Sequence, residues 1–350
     1  MQASAKVTVA KHDFLEGLGR CMKETTVIAP VKMKDGEVTF EPVRTAKQIT
    51  FDYVNDHDPL KRFFMPAREE LFSFQNARGK ALLKSPPLPK PRVLFGIRSC
   101  DLQGLAHLDH FFQGAFEDQL YLQRRKSTLI ISLACNEPLD TCFCICCNGG
   151  PFLESGFDLQ LTDLGESFLV DIGSRAGRKF LDDWKVPCQT AKRKDEQLRQ
   201  ALMHKCDEKM IPTAYLAKAC IQITNNRVRE EVWDEMGAEC FSCGGCTHVC
   251  PCCSCFDVFD CTEGETGQGT RYRCWDSCQY SGFTREASGH NPRAKAKERV
   301  KRRFYHKLSY AYIQQDGHPG CVGCGRCITV CEAFQQLDVP AVVKRLRRDG

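Results

Sequence analysis

One cysteine spacing occurs twice in this 350-residue chain and constrains it more than any other feature. The spacing is C-x₂-C-x₂-C-x₃-C, and its two copies are Cys240, Cys243, Cys246 and Cys250, then Cys321, Cys324, Cys327 and Cys331. Thiolates at this spacing ligate [4Fe–4S] clusters, and in chains with two such runs the fourth cysteine ligates the cluster of the other run. We therefore predict two clusters with crossed ligand sets: Cys240, Cys243, Cys246 with Cys331, and Cys321, Cys324, Cys327 with Cys250.

The residues around these runs fit a backbone that wraps closely round a cluster. Two glycines lie within each run, and glycine allows a close approach because it has no side chain. The fourth cysteine of each run is expected to begin a helix that leads away from the loop. Proline follows the first run at Pro251, whereas Glu332 follows the second, a departure that leaves the number of ligands unchanged.

Disulfides, structural zinc and iron–sulfur clusters are the three explanations for 24 cysteines. The start of the chain, MQASAKVTVAKHDFLEGLG, has no apolar segment of the secretory type, so we expect a cytoplasmic protein with reduced thiols. Zinc takes four tetrahedral ligands, and a zinc ribbon draws two cysteines from each of two knuckles. Two complete four-cysteine runs fit [4Fe–4S] clusters better than zinc.

Charge and hydropathy exclude some classes of partner. The net charge of +5, from 49 basic and 44 acidic residues, is too small for a dedicated nucleic-acid-binding protein. The apolar segment 129–135 is too short to cross a bilayer, so no direct membrane span is expected. The basic segment 293–307 is interpreted either as a solvated helix face or as a surface for an acidic ferredoxin or subunit.

A second group of cysteines favours a third [4Fe–4S] cluster. Apolar segments 93–97 and 129–133 have the pattern of buried strands, and each leads to a cysteine. The cysteines after these two segments and the first two cysteines of the dense segment CFCICC together offer four ligands: Cys100, Cys135, Cys142 and Cys144. Cys146 or Cys147 is an alternative for one of these. The isolated cysteines Cys21, Cys188, Cys206 and Cys220 are expected to be small buried side chains.

The 70 residues between the two runs are longer than a minimal two-cluster module needs, and they predict an inserted subdomain over residues 252–290. This insertion contains its own cysteines: Cys252, Cys253, Cys255, Cys261, Cys274 and Cys278. Three of them, Cys253, Cys255 and Cys278, are candidates for a further metal site or a redox pair. Structural thiols near the clusters are the alternative.

The overall pattern predicts an α+β protein. Alternation over residues 7–10, 37–43 and 48–54 indicates an N-terminal β-rich domain, residues 1–90, and a central Cys-rich α/β region follows over 91–190. Residues 157–172 alternate like a hairpin. A helical connector is predicted over 191–239, with Asp195 as an N-cap. A ferredoxin-like dicluster module over 240–335 contains the insertion and a helix over 292–314, and residues 336–350 form a tail.

Several of these motifs together resemble a known family. The segments IRSCDLQGL, CFC followed by GGP, GFDLQLTDLG, RYRCWDSCQYSGFTREASGHNPR and CVGCGRCITVC are similar to those of nickel–iron sulfhydrogenase beta subunits and of the iron–sulfur subunit of anaerobic sulfite reductase. The resemblance covers about residues 90–335. It implies a 4Fe–4S dicluster electron-transfer subunit beside a flavoprotein that exchanges electrons with NAD(P)H. The segment CFCICC departs from the relatives by adding Cys146 and Cys147.

We therefore predict an electron-transfer subunit of a cytosolic, anaerobic, multisubunit oxidoreductase. It relays electrons between a hydrogenase, sulfite reductase or heterodisulfide reductase partner on one side and a flavin/NAD(P)H subunit on the other. No G-x-G-x-x-G pattern follows a predicted strand, so no dinucleotide fold is indicated. The alternative is a sulfur- or disulfide-reducing enzyme that uses the thiols of the Cys252–Cys278 insertion.

Overall fold

The computed structural model describes residues 5–77, 80–210, 215–264, 267–333 and 336–348. Its strands are β1 (Ala5–Ala10), β2 (Thr26–Lys32), β3 (Val38–Val43), β4 (Arg68–Ala77), β5 (Lys80–Lys84), β6 (Arg92–Ile97), β7 (Thr128–Leu133), β8 (Leu159–Asp163), β9 (Ser167–Ile172), β10 (Gln189–Thr190), β11 (Phe256–Thr262) and β12 (Gln268–Trp275).

The α-helices of the same ranges are α1 (Lys11–Cys21), α2 (Ser99–Phe112), α3 (Gln119–Lys126), α4 (Arg175–Asp183), α5 (Arg193–Lys209), α6 (Leu216–Thr224), α7 (Glu230–Glu239), α8 (Gly245–His248), α9 (Ala296–Leu308), α10 (Tyr310–Asp316), α11 (Arg326–Thr329) and α12 (Val339–Arg348). Short 3₁₀ helices lie at Ala46–Gln48, Leu60–Phe63 and Cys144–Cys147.

Eight strands form the main sheet, in the order β10-β1-β9-β8-β7-β6-β2-β3. Its centre is parallel, from β2 through β6 and β7 to β8, and antiparallel strands extend it on both sides. A parallel strand covered on both faces is apolar along its whole length, which explains the continuous apolar segments at β6 and β7. These neighbouring strands end side by side and lead to Cys100 and Cys135, as predicted.

Helices cover both faces of this sheet and fix its strand ends. On one face α1 and α4 bury Phe14 and Phe180, and on the other α2 and α3 bury Leu105 and Tyr121. Burying each such side chain contributes about 1.5–3 kcal/mol. A third apolar core, with Trp233 at its centre, lies among α6, α7, α9 and α12 and supports the C-terminal cysteines.

A second, four-stranded antiparallel sheet joins distant parts of the chain, in the order β11-β12-β4-β5. The hairpin β11–β12 lies within the range predicted as an insertion, residues 252–290, and β12 pairs with β4 from the N-terminal part. The strands before residue 90 are thus divided between two sheets that they share with later segments. The predicted domain boundaries stay predictions.

The structure confirms the strands over 93–97 and 129–133 and the hairpin of β8 and β9. The predicted strand over 48–54 is wrong, because a 3₁₀ helix and an isolated bridge at Ile49 take its place. The predicted helix over 292–314 is two helices, α9 and α10, and Pro292 lies before the first of them. Asp195 is not the N-cap; it lies inside α5, where its carboxylate accepts the Lys192 N–H at 3.0 Å.

Among the helices of the described ranges, none combines the length and apolar content needed to span a membrane.

Candidate metal centres

Four cysteines from the two runs line one small cavity, which we call the first cage: Cys240, Cys243, Cys246 and Cys331. Three of them come from the first run and the fourth from the second, which is the predicted crossed set. Val300 and Phe304 of α9 complete the wall. Cys243 is exposed and Phe241 is 69% exposed, so the first cage lies at the molecular surface.

The other four cysteines of the runs lie together deeper in the protein, in what we call the second cage: Cys250, Cys321, Cys324 and Cys327. Burial raises the pKa of the Cys324 thiol to about 11, and the neighbouring Cys250 adds to the rise. Burial also raises the pKa of Cys327, with Cys321 and Cys324 adding to it. These effects show that the thiols lie within electrostatic reach of one another.

Six cysteines line a further cavity, and the five that do not belong to the two runs are called the third cage: Cys100, Cys135, Cys142, Cys144 and Cys206. The first four are the predicted ligand set. Cys206 is the addition: it is fully buried, as expected, but its thiol lies 3.4 Å from the carbonyl oxygen of Cys135. Cys324 of the second cage also lines this cavity, so the second and third cages are adjacent.

The two extra cysteines of CFCICC do not line the third cage. Cys147 is fully buried, and its thiol is in hydrogen-bond contact with Cys321 of the second cage. Cys146 packs against the C-terminal apolar core. Of the isolated cysteines, Cys21 and Cys220 are buried as predicted. Cys188 is exposed, so that expectation is wrong: it lies in the loop between α4 and β10.

Four of the six cysteines of the insertion line a separate opening of about 280 Å³, which we call the thiol cavity. Its thiols are Cys252, Cys253, Cys255 and Cys278, so the structure brings the three predicted candidates together with a fourth. His107, His306 and Lys307 also line it. The thiols of Cys252 and Cys253 contact Cys250 of the second cage, whereas Cys255 and Cys278 contact each other.

The loops that carry the ligands use glycine where predicted. Gly323 and Gly325 have φ of +64° and +77°, which side chains rarely adopt. An added Cβ would lie 2.5 Å from the Phe143 carbonyl oxygen at Gly323 and 2.6 Å from Thr141 at Gly325, so glycine allows the second run to pack on the third cage. The predicted helices after the fourth cysteines are wrong: α8 and α11 end before Cys250 and Cys331.

Helix α9 supplies cations to the cages, and this corrects its interpretation as a solvated face. Arg299, Arg303 and Lys307 lie four residues apart on one face and are each at most 6% exposed. Lys307 Nζ lies 3.3 Å from Cys250 Sγ. Arg303 lines the first cage and the thiol cavity, and its buried Nε and Nη2 have no hydrogen-bond partner.

The buried cations show that these cavities suit negative charge. In the part of the chain that the structure describes, no carboxylate forms an ion pair with Arg303, Lys307 or the buried Lys61. Burying an uncompensated cation costs several kcal/mol. A [4Fe–4S]²⁺ core with four thiolates carries a net charge of about −2, and would compensate these cations. The thiols, the cavities and the unpaired guanidinium donors therefore fit such clusters.

A buried ion pair ties the second run to the third cage. Arg326 Nη2 lies 2.6 Å from Asp101 Oδ2, and both side chains are 2% exposed. Asp101 also accepts the Leu60 N–H at 3.2 Å. The pair thus joins α11, which carries Cys327, to the start of α2, which carries Cys100.

Replacing Asp101 with asparagine should therefore destabilise the protein by about 3–5 kcal/mol, because it leaves the Arg326 charge buried without a partner. Denaturant unfolding under anaerobic conditions measures this loss. The matched control is Asp183→Asn, which breaks the exposed pair with Lys179 and should cost under about 1 kcal/mol. Equal losses in the two variants would show that the buried pair does not hold the cages together.

Comparison with known proteins agrees with this geometry. Residues 239–334 match the family model of the 4Fe-4S dicluster domain. The chain is 30% identical to the sulfhydrogenase 2 subunit beta of Pyrococcus furiosus over 321 residues, which covers 91% of this chain and 92% of the relative. The chain belongs to the sulfhydrogenase beta-subunit family. The resemblance expected from its motifs is confirmed, and the matched range of the dicluster domain contains all eight cysteines of the two runs.

Several residues of these sites escaped sequence reasoning. Cys206 lies one helical turn after Leu202, and that spacing indicates an inward-facing position but not which cavity it meets. Gln279, Arg303 and Lys61 have no distinguishing motif. Gln279 is 2% exposed and contacts Cys240 of the first cage at 3.9 Å, while Lys61 donates to the Cys253 carbonyl oxygen at 2.7 Å.

Proposed function

We propose that the chain is the electron-transfer subunit of a hydrogenase-type complex and holds three [4Fe–4S] clusters. The observation that carries this proposal is the adjacency of the cages, since Cys324 belongs to the second cage and lines the third. Cys240, Cys243, Cys246 and Cys331 would hold one cluster, and Cys250, Cys321, Cys324 and Cys327 another. Cys100, Cys135, Cys142 and Cys144 would hold the third, and the bound clusters would supply one-electron carriers.

The protein's own residues would set the conditions for this transfer. Apolar side chains such as Phe304 line part of the first cage, and Arg303 and Lys307 would favour the more negative, reduced state of the clusters. Exposed Cys243 and Phe241 make the first cage the place where a partner can come closest.

Two partners follow from the family and from the motifs. The family supports one partner of the hydrogenase type. The motif resemblance supports a second partner, a flavoprotein that exchanges electrons with NAD(P)H, with a ferredoxin as a further donor or acceptor. By resemblance, a sulfite reductase or heterodisulfide reductase subunit is the alternative to the hydrogenase-type partner.

Metal and sulfide analysis of anaerobically purified protein tests the proposal. Three clusters give about twelve irons and twelve acid-labile sulfides per chain, and dithionite should produce paramagnetic signals. About eight irons would remove the third cluster. Zinc in place of iron would overturn the proposal. Co-purification with hydrogenase-type and flavoprotein subunits tests the partners.

The thiol cavity favours a second candidate function, the reduction of a sulfur compound or disulfide. It brings four thiols, Lys307 and Arg303 to one opening, an arrangement suited to an anionic sulfur substrate. The isolated subunit with dithionite as donor should then reduce oxidised glutathione, an anionic disulfide, and Cys278→Ala should abolish the reduction while Cys188→Ala retains it. No turnover by the isolated chain would leave electron transfer as its function.

A further inference from the structure

Two of the four thiols in the thiol cavity differ from the other two in the side chains that they contact. Cys255 and Cys278 are in side-chain contact with each other, and no predicted cluster ligand touches either of them in the described contacts. Cys252 and Cys253 instead contact Cys250 of the second cage. The cavity therefore contains one pair of neighbouring thiols that the cages do not use.

The backbone around this pair is held by the four-stranded sheet. Cys255 directly precedes β11 and Cys278 follows β12, and Phe256 of the one strand pairs with Trp275 of the other. The Asp276 N–H donates to the Cys255 carbonyl oxygen at 3.0 Å, which extends the pairing to the cysteine itself. Strand register thus keeps the backbone of the two cysteines close together.

The charges around the pair favour a thiolate on one member. Contact with the Cys255 thiol, together with Gln279, Arg303 and Lys307, lowers the pKa of Cys278 to about 6 against the effect of burial. The pKa of Cys255 is raised by the same contact and by burial. A thiolate beside a protonated thiol is the starting arrangement for forming a disulfide.

A buried glutamine joins this pair to the first cage. Gln279 Nε2 lies 3.4 Å from Cys278 Sγ, and Gln279 Oε1 lies 3.9 Å from Cys240 Sγ. The side chain is fixed because its Nε2 also donates to the Arg299 carbonyl oxygen at 3.0 Å. One amide group therefore separates the thiol pair from a predicted cluster ligand.

We propose that Cys255 and Cys278 are a redox-active dithiol that stores two electrons beside the first cage. On oxidation the S–H bond of Cys255 breaks, its proton leaves to water in the cavity, and a bond forms between the two sulfur atoms. Two electrons leave, and two iron–sulfur centres of the proposed electron-transfer subunit would accept one electron each. The acceptors depend on the proposed function, whereas the dithiol itself does not.

Differential thiol labelling under anaerobic conditions tests the pair. The full chain is equilibrated with mixtures of reduced and oxidised dithiothreitol, quenched in acid, alkylated and analysed by mass spectrometry. We expect a Cys255–Cys278 disulfide that appears with the slope of a two-electron couple, while the iron content stays constant. Cys278→Ala should leave Cys255 alkylated at every ratio without loss of iron, and Cys188→Ala should leave the disulfide unchanged.

Three other results are informative. Equal alkylation of both thiols at every ratio would overturn the proposal. Loss of about four irons in Cys255→Ala or Cys278→Ala would also overturn it, because the pair would then ligate a cluster. If the anaerobically purified protein contains no iron but the disulfide still titrates normally, the dithiol is supported and the proposed electron-transfer function is overturned. The two failures are therefore distinguishable.

Discussion

Replacing Cys331 with alanine should remove about four irons, and adding Cys240→Ala should remove no more. The reason is that both thiols line the first cage although they belong to different runs. Combining Cys240→Ala with Cys250→Ala should instead remove about eight irons, because Cys250 lies in the second cage. Iron and acid-labile sulfide per chain, measured after anaerobic purification, give the three values directly.

Comparing the two double variants tests the crossed ligand set without relying on the number of irons lost by any one single variant. If each run held its own cluster, the pattern would reverse: Cys240→Ala with Cys250→Ala would cost four irons and Cys240→Ala with Cys331→Ala would cost eight. Cys188→Ala is the matched control, since this exposed thiol lies outside all three cages. Circular dichroism of each variant separates loss of a cluster from general unfolding.

The grouping of the first three cysteines of each run could be predicted because spacing along a short loop determines which thiols face inward. The crossing could not come from local geometry, because Cys331 of the first cage belongs to the other run; it was predicted from the general pattern of chains with two such runs. Local pattern also suffices at β6 and β7, whose apolar segments by themselves indicate that Cys100 and Cys135 follow neighbouring strand ends. Local pattern and topology agree at these sites.

The parts that escaped prediction depend on contacts between distant segments. Lys61 and Cys253 are 192 residues apart in sequence, and their contact depends on the packing of the Leu60–Phe63 turn against the insertion. Arg326 and Asp101 are separated by 225 residues. A single sequence records no such pairing.

Helix α9 shows why composition alone was misleading. A run of basic residues usually indicates a solvated face. Here the spacing of Arg299, Arg303 and Lys307 places three cations on the inner side of the helix. Beside Arg303 and Lys307, cysteine thiols stand in place of carboxylates as the partners. The buried face became recognisable only once the cages were known to lie beside it.

Replacing Arg303 with methionine should lower the reduction potential of the clusters in the first and second cages by about 80 mV. Arg303 is 4% exposed, and although burial acts to lower its pKa, the thiols of Cys246 and Cys327 and their neighbours raise it. Reduction adds one negative charge to a cluster, and a cation at about 7 Å in a medium of dielectric constant about 20 stabilises that charge by about 2 kcal/mol. Removing the cation disfavours the reduced state, so the shift is toward more negative potential.

Redox titration followed by electron paramagnetic resonance measures the shift, and two variants on the same helix separate charge from packing. Arg303→Lys retains the cation and should shift the potential by less than half as much. Arg302→Met removes the same charge one residue earlier, where the side chain bonds the Tyr312 hydroxyl and lines none of the cages, so its effect should be smaller still. Equal shifts in Arg302→Met and Arg303→Met would mean that net charge alone sets the potential. A shift confined to Arg303→Met would show that this guanidinium acts on the clusters directly from within the protein, as its two unpartnered nitrogen atoms indicate.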